Sequence, residues 1–196
     1  MLRCGAVNSP RAISVASGFR NSRRIARNPM SEQVYGSSVD LTPILFKQSR
    51  IYYRPRSEGG GILCQSHNAK DGGTLAPSCQ QCPHSKFTKN GKPDCTLCFN
   101  YLVVLWPQAE VLTFRLKSSA LKTGRAWNAT MKTMKRPMRL GVYQVSIVNQ
   151  SSPKGTYFAP IIKLRRFVTK DEFQYASSVY NEMRGRSIMS EESEHP

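Results

Sequence analysis

The sequence has few acidic side chains and no long apolar run. Its 196 residues hold 12 Asp and Glu against 29 Lys and Arg, which gives a net charge of +17 and a pI near 10.0. The longest apolar run, YLVVLW at residues 101–106, is far shorter than the roughly 18 residues that a membrane-spanning helix needs. We therefore expect no integral membrane protein, and the positive charge favours a polyanion, nucleic acid first, as the partner.

Motifs for catalysis are also missing from the sequence. The 12 carboxylates are scattered or terminal, none lies with a His at metal-site spacing, and neither a P-loop nor a nucleophile elbow is present. A two-metal nuclease would need clustered acids, yet the sixty residues from 111 to 170 contain none. We expect a protein that is not an enzyme.

Cysteine is scarce outside one cluster: five of the six cysteines fall within 35 residues, in two C-x-x-C pairs and one preceding position. The odd number and the lack of a secretory segment argue against disulfides, and the Pro- and Gly-rich loop composition argues against thioredoxin-like redox chemistry. The pattern predicts one structural Zn²⁺ per chain, held by four thiolates, whose binding supplies the folding free energy of the loop. Spacing favours Cys79, Cys82, Cys95 and Cys98 as ligands, and Cys64 could replace Cys95.

The order of predicted elements resembles that of an OB-fold. A strand at 48–56 precedes the zinc insertion at about 62–99, then come the strands YLVVLWP and VLTFRLK, a helix in SSALKTGRAWNATMKTMKRP, and the strands GVYQVSIVNQ and GTYFAPIIKLRRF. Thr169 and Glu172 form a capping box that opens a C-terminal helix ending at Gly185. The prediction is a mainly β domain over residues 41–185, an OB-fold-like five-stranded barrel; a small α+β sheet domain would show the same order.

Both ends of the chain differ from this domain in composition. Residues 1–40 are predicted to be a basic, disordered arm, because the first 29 residues hold six Arg and no acid. A mitochondrial transit peptide, or an extension ahead of a start at Met30, would share that composition. Residues 186–196 form an acidic flexible tail that could dock a replication protein or compete with nucleic acid.

The acid-free window from 111 to 170 carries thirteen Lys and Arg. A surface that only contacts solvent usually carries both positive and negative side chains. We therefore expect a basic face that binds phosphates, with aromatic side chains stacking on unpaired bases. The predicted contacts are Arg115, Lys117, Lys122, Arg125, Lys132, Lys135, Arg136, Arg139, Lys163 and Arg165, with Tyr157 as the stacking residue.

The pattern CQSHNAKDGG…CQQCP…CFNYLVVL…LTFRLKSSALKTGRAWNATMK…YFAPIIKLRRFVTKDEF resembles phage-encoded zinc-cysteine proteins of the single-stranded-DNA-binding, OB-type replication class. The resemblance covers about residues 50–185. It implies an OB-type core and a role in replication or recombination in the host-cell cytoplasm. It also implies the ligand set Cys64, Cys79, Cys82 and Cys98, which differs from the set that spacing favours.

The first functional prediction is therefore non-catalytic binding of single-stranded DNA with a structural zinc site. The alternatives are a zinc-ribbon module that docks on replication or transcription machinery, and an RNA-binding protein. A mitochondrial location is the alternative to the cytoplasm if residues 1–29 are a transit peptide.

Overall fold

The computed structural model describes residues 11–15, 38–87, 89, 91–152 and 155–186, with only the backbone described for 11–15 and 151–156. Seven strands and two α-helices make up this part of the chain. The strands are β1 (Arg11–Val15), β2 (Ser38–Tyr53), β3 (Ile62–Ser66), β4 (Thr96–Trp106), β5 (Glu110–Lys117), β6 (Gly141–Ser152) and β7 (Gly155–Phe167), and the helices are α1 (Leu121–Thr133) and α2 (Lys170–Met183).

All seven strands form one sheet in the order β1-β5-β4-β2-β6-β7, with β3 paired to β2. The long strand β2 pairs with β4 along most of its length, with β6 at one end and with β3 at the other. Its register shifts between Pro43 and Leu45, because proline has no N–H to donate and is tolerated at such a bulge. The pairings are antiparallel except that of β1 with β5.

The two helices cover opposite faces of the sheet. Phe99, Tyr101 and Val103 of β4 lie in one core with Trp127 and Met131 of α1. Leu102 and Val104 lie in a second core with Ala176, Val179 and Met183 of α2. Successive strand residues point to opposite faces, so the near-continuous apolar run of β4 reflects burial on both sides. The architecture is three layers, helix on sheet on helix.

The predicted five-stranded barrel is not confirmed. The first and last strands of the sheet, β1 and β7, do not pair with each other in the described part of the chain, so the sheet is open. A barrel encloses one face of its sheet, whereas here each face packs against its own helix. The mainly β composition and the two helices, including the capping box at Thr169 and Glu172, are confirmed.

Three boundaries differ from those predicted. The strand expected at 48–56 is part of β2, which begins at Ser38, inside the segment predicted to be an arm. That segment also contains β1. The insertion predicted at about 62–99 includes β3 and the start of β4. Cys4 and the residues after Arg186 lie outside the described part.

Candidate nucleic-acid interface and cysteine cluster

Helix α1 buries one face and presents a basic face to solvent. Gly124, Trp127 and Met131 are buried against the sheet. Lys122, Arg125 and Lys132 are exposed, and their spacing of i, i+3 and i+10 places them on one side of a helix. Two further exposed basic residues follow the helix. The basic face of α1 is defined here as Lys122, Arg125, Lys132, Lys135 and Arg136.

An exposed aromatic ring adjoins this basic face. Phe167, the last residue of β7, is 51% exposed, and the Arg136 guanidinium carbon lies 5.5 Å from the centre of its ring. Phe167 pairs with Gly141 at the end of β6. The ring and the basic face therefore form one continuous surface at the end of α1.

Two basic residues of β7 have acidic neighbours that lie outside the acid-free window. Arg165 forms an ion pair with Asp40 of β2. Arg166 donates two hydrogen bonds to Glu172, at 2.6 and 2.7 Å, and this bonding lowers the pKa of Glu172 to about 2. Lys163 is exposed on the same strand. The window from 111 to 170 contains no acidic residue, but acidic side chains from outside it lie beside its basic residues. The surface that carries only positive charge is therefore smaller than predicted.

Three predicted phosphate contacts have other surroundings in the structure. Arg115 is only 2% exposed, and its Nε donates to Asn100 Oδ1 at 2.9 Å, so it is not part of an exposed basic face. Lys117 lies with its Nζ 5.8 Å from the centre of the Tyr53 ring. Arg139 packs against α2, with its guanidinium carbon 4.7 Å from the centre of the Tyr180 ring.

The predicted stacking residue, Tyr157, is partly buried, and its hydroxyl donates to Gln150 Oε1 at 2.8 Å. Phe167 is the more accessible ring, although sequence reasoning did not select it. Its position directly after the basic run KLRR is the signal that could have identified it. Whether a strand-end aromatic is buried depends on the neighbouring elements, which the sequence pattern does not reveal.

The cysteines lie at the end of the sheet where β3 pairs with β2. Cys64 lies on β3 opposite Tyr52, and Cys79 and Cys82 lie in the long loop between β3 and β4. The Ser85 hydroxyl donates to the carbonyls of both Cys79 and Cys82. The backbone N–H of Cys95 donates to the carbonyl of His84 at 2.9 Å.

Three other cysteines of the cluster affect the thiol of Cys95 electrostatically. Burial raises the pKa of the Cys95 thiol to about 11, nearby Arg50 lowers it, and Cys64, Cys79 and Cys82 raise it. The charge state of Cys95 therefore depends on the other three thiols of the loop. Within the described residues, however, no three His, Cys, Asp or Glu side chains are gathered closely enough to hold a metal ion as they stand.

The fifth cysteine, Cys98, belongs to the sheet. It is fully buried on β4, between Ser49 of β2 and Lys117 of β5, and its Sγ lies 3.9 Å from the Thr96 carbonyl oxygen. His84, which follows Cys82 in the loop, is stacked on Tyr52 with ring centres 4.8 Å apart. Its Nδ1 also lies 3.0 Å from Asp94 Oδ2.

These features describe a basic, three-layered sheet protein with a cysteine-rich loop at one end. The family model of the Pam3 phage gp34-like proteins matches residues 26–189, so the chain belongs to this phage protein family. Neither the curated proteins nor the solved structures contain a match to the chain. In the described part of the chain, no helix is long and apolar enough to cross a membrane.

Proposed function

We propose that this phage protein binds single-stranded DNA without catalysing a reaction, in replication or recombination in the host-cell cytoplasm. The observation that carries the proposal is the basic face of α1. Its five exposed side chains form no ion pair with an acidic side chain within the described residues. Such a surface attracts phosphates and gains affinity by releasing condensed counterions.

The adjoining Phe167 ring favours single strands over duplex. An unpaired base can stack on an exposed aromatic side chain, whereas a base inside a duplex already stacks on its neighbours. Arg136 beside the ring supplies a charge at the same point. Replacing Phe167 by Ala should therefore weaken single-strand binding by about 1–3 kcal/mol with little change in salt dependence.

Fluorescence anisotropy with labelled oligo-dT, measured at several salt concentrations, tests the proposal on the variant K122Q/R125Q/K132Q. If each lysine or arginine neutralises one phosphate, the log–log salt slope of about −0.7 per contact should flatten by roughly 2 in this variant. Gln is nearly as good a helix former as Lys and Arg, so α1 should remain folded.

The matched control is R54Q/R56Q/K170Q, which removes the same charge from three exposed residues outside α1. We expect its slope to stay near that of the unmodified protein. Equal flattening in both variants would mean that only the net charge matters, and would contradict a specific face. Duplex DNA and an RNA strand of matched length, run in parallel, distinguish single-stranded DNA from the other nucleic acids.

We further propose that one structural Zn²⁺ is held by Cys64, Cys79, Cys82 and Cys95. Four thiolates suit zinc, and the Cys64, Cys79 and Cys82 thiols all raise the pKa of Cys95, which supports a set made of these four. Because the sulfurs are not gathered as they stand, zinc binding would draw them together and stabilise the loop. The metal would have no role in binding chemistry beyond holding the loop.

Metal analysis of purified variants tests this ligand set. We expect about one zinc per chain in the unmodified protein and in C98A, and a loss of zinc in C95S. Retention of zinc in C95S together with its loss in C98A would select the ligand set that the family resemblance implies. A fully folded, metal-free protein would overturn the zinc proposal itself.

A further inference from the structure

The loop between Cys82 and Cys95 exposes an aromatic side chain that the proposed interface does not use. Phe87 is 82% exposed, against 51% for Phe167 and 47% for Leu75. It is the most exposed large apolar side chain among the described residues. A ring this exposed is accessible to a partner, and its burial there would be favourable.

The base of this loop is anchored to the sheet. The carbonyl of Ser85 accepts a hydrogen bond from Arg50 Nη1 at 3.4 Å. The ring of His84 stacks on Tyr52 of β2, and the backbone N–H of Lys86 donates to the Pro83 carbonyl at 3.2 Å. Phe87 follows directly after these contacts, so it projects from a fixed support.

Lysines lie on both sides of Phe87 in the sequence of the loop. Lys86, Lys89 and Lys92 are exposed. The acidic residue of this loop, Asp94, is paired with His84 at 3.0 Å. Lysine is depleted at protein–protein interfaces, whereas an aromatic ring beside lysines suits a base together with its phosphates. Charge complementarity therefore favours a single-stranded nucleic acid over an apolar protein groove.

We infer that Phe87 stacks on an unpaired base and that Lys86, Lys89 and Lys92 contact the adjoining phosphates. This inference rests on the proposed function and adds a second contact point at the cysteine-rich end of the sheet. The cysteine cluster would then have a functional consequence, because Cys82 and Cys95 lie at the two ends of the loop that presents the ring.

The test measures oligo-dT binding by F87A, F87W and the control L75A, which truncates an exposed apolar residue of a neighbouring loop. We expect F87A to bind about 5- to 100-fold more weakly, and L75A to bind within twofold of the unmodified protein. F87W should retain affinity, and the emission of its new exposed indole should be quenched when oligo-dT binds. Melting curves and zinc content of all three should match the unmodified protein, since both side chains are exposed.

Normal binding by F87A, combined with weak binding by K122Q/R125Q/K132Q, would overturn this inference and leave the proposed function standing. Normal binding by both variants would overturn both. Anionic lipid vesicles are tested as an alternative binding partner of F87W. A blue shift of F87W emission with vesicles, without quenching by oligo-dT, would assign the ring to a membrane surface instead and would also overturn the inference.

Discussion

At the scale of single residues, Glu172 joins α2 to β7. Its carboxylate accepts two hydrogen bonds from Arg166 and a third, at 2.8 Å, from the backbone N–H of Thr169. The Thr169 hydroxyl accepts from the N–H of Glu172 in return. The ion pair and the helix cap therefore depend on the same carboxylate.

The variant E172Q should separate these two roles, because Gln can still complete the capping box but cannot form the ion pair. Hydrogen bonding with Arg166 lowers the pKa of Glu172 from 4.5 to about 2. Stabilisation by the ion pair is therefore present above pH 4.5 and is lost as the pH falls toward 2. We expect E172Q to lose about 1 kcal/mol at pH 7, a value discounted because the Arg166 side chain is partly exposed.

Urea unfolding from pH 7 to pH 3 measures this effect. The difference in unfolding free energy between the unmodified protein and E172Q should shrink as the pH falls below 4.5. T169A is the control, since removing the cap should cost about 1 kcal/mol while the Arg166–Glu172 pair still titrates. A difference for E172Q that does not vary with pH would contradict the ion-pair explanation.

At the scale of elements, α1 approaches the sheet closely at Gly124. A Cβ added at this position would lie 2.7 Å from Phe99 Cδ2 and 3.1 Å from Leu116 Cδ1. The Tyr101 hydroxyl donates to Asn128 Oδ1 at 3.0 Å. The ring of Tyr101 lies 4.5 Å, centre to centre, from that of Trp127. This packing fixes which side of α1 faces the sheet, and hence which side carries the basic face.

The variant G124A should be less stable than the unmodified protein, although Ala is the better helix former. Overpacking a buried site costs about 1–3 kcal/mol, which exceeds the helix propensity gain of about 1 kcal/mol. The control A129G changes an exposed position of the same helix, where propensity alone should cost about 1 kcal/mol. If thermal melts showed G124A to be more stable, the side chains of Phe99 and Leu116 would have to shift at little cost.

A second element-scale contact holds α2 in place through Arg139. Its guanidinium carbon lies 5.5 Å from the centre of the Phe173 ring and 4.7 Å from that of Tyr180. Its Nε donates to Ser177 Oγ at 3.1 Å. These contacts assign Arg139 to the packing of α2 rather than to a phosphate.

We expect R139A to lower the unfolding free energy by about 1–2 kcal/mol, through lost cation–π and packing contacts. The salt slope of oligo-dT binding should stay nearly unchanged. K132A removes the same charge from an exposed position and should give the opposite result, a flatter slope with little loss of stability. A flatter slope in R139A with unchanged stability would instead indicate that Arg139 contacts a phosphate.

At the scale of the whole molecule, the sheet extends into the N-terminal region. Strand β1 pairs in parallel with β5, with Ile13 opposite Phe114. Phe114, Leu112 and Leu116 of β5 belong to the core under α1. The segment predicted to be a disordered arm therefore includes β1, which pairs with the outer edge of β5 beside this core.

Removing residues 1–29 should be more destabilising than removing residues 1–10, because only the longer deletion removes β1. The remaining five strands of the main path should stay paired, so we expect a cooperative transition at a lower temperature. For a chain of this size, each lost kcal/mol lowers the melting temperature by about 2–4 °C. Coincident melts of the two truncated proteins would show that β1 contributes nothing to stability.

Much of the fold was predictable from local patterns. The apolar run YLVVLW, the alternation in VLTFRLK, the apolar side of α1 and the box from Thr169 to Glu172 each depend on neighbouring residues only. The open sheet was not predictable, because an order of strands and helices is compatible with several pairings. Pairing β2 with β6 and β3 at opposite ends requires contacts between residues far apart in the chain.

The sequence by itself determined the large positive charge, the clustered cysteines and the types of the principal elements, since these follow from composition and short-range spacing. Only the tertiary structure decided which charged side chains face solvent without an ion-pair partner. It buries Arg115, pairs Arg165 with Asp40, and leaves the basic face of α1 without acidic partners among the described residues. The physical reason is that electrostatic interaction depends on distance in space, and folding brings acids from residues 40 and 172 beside a window that contains none.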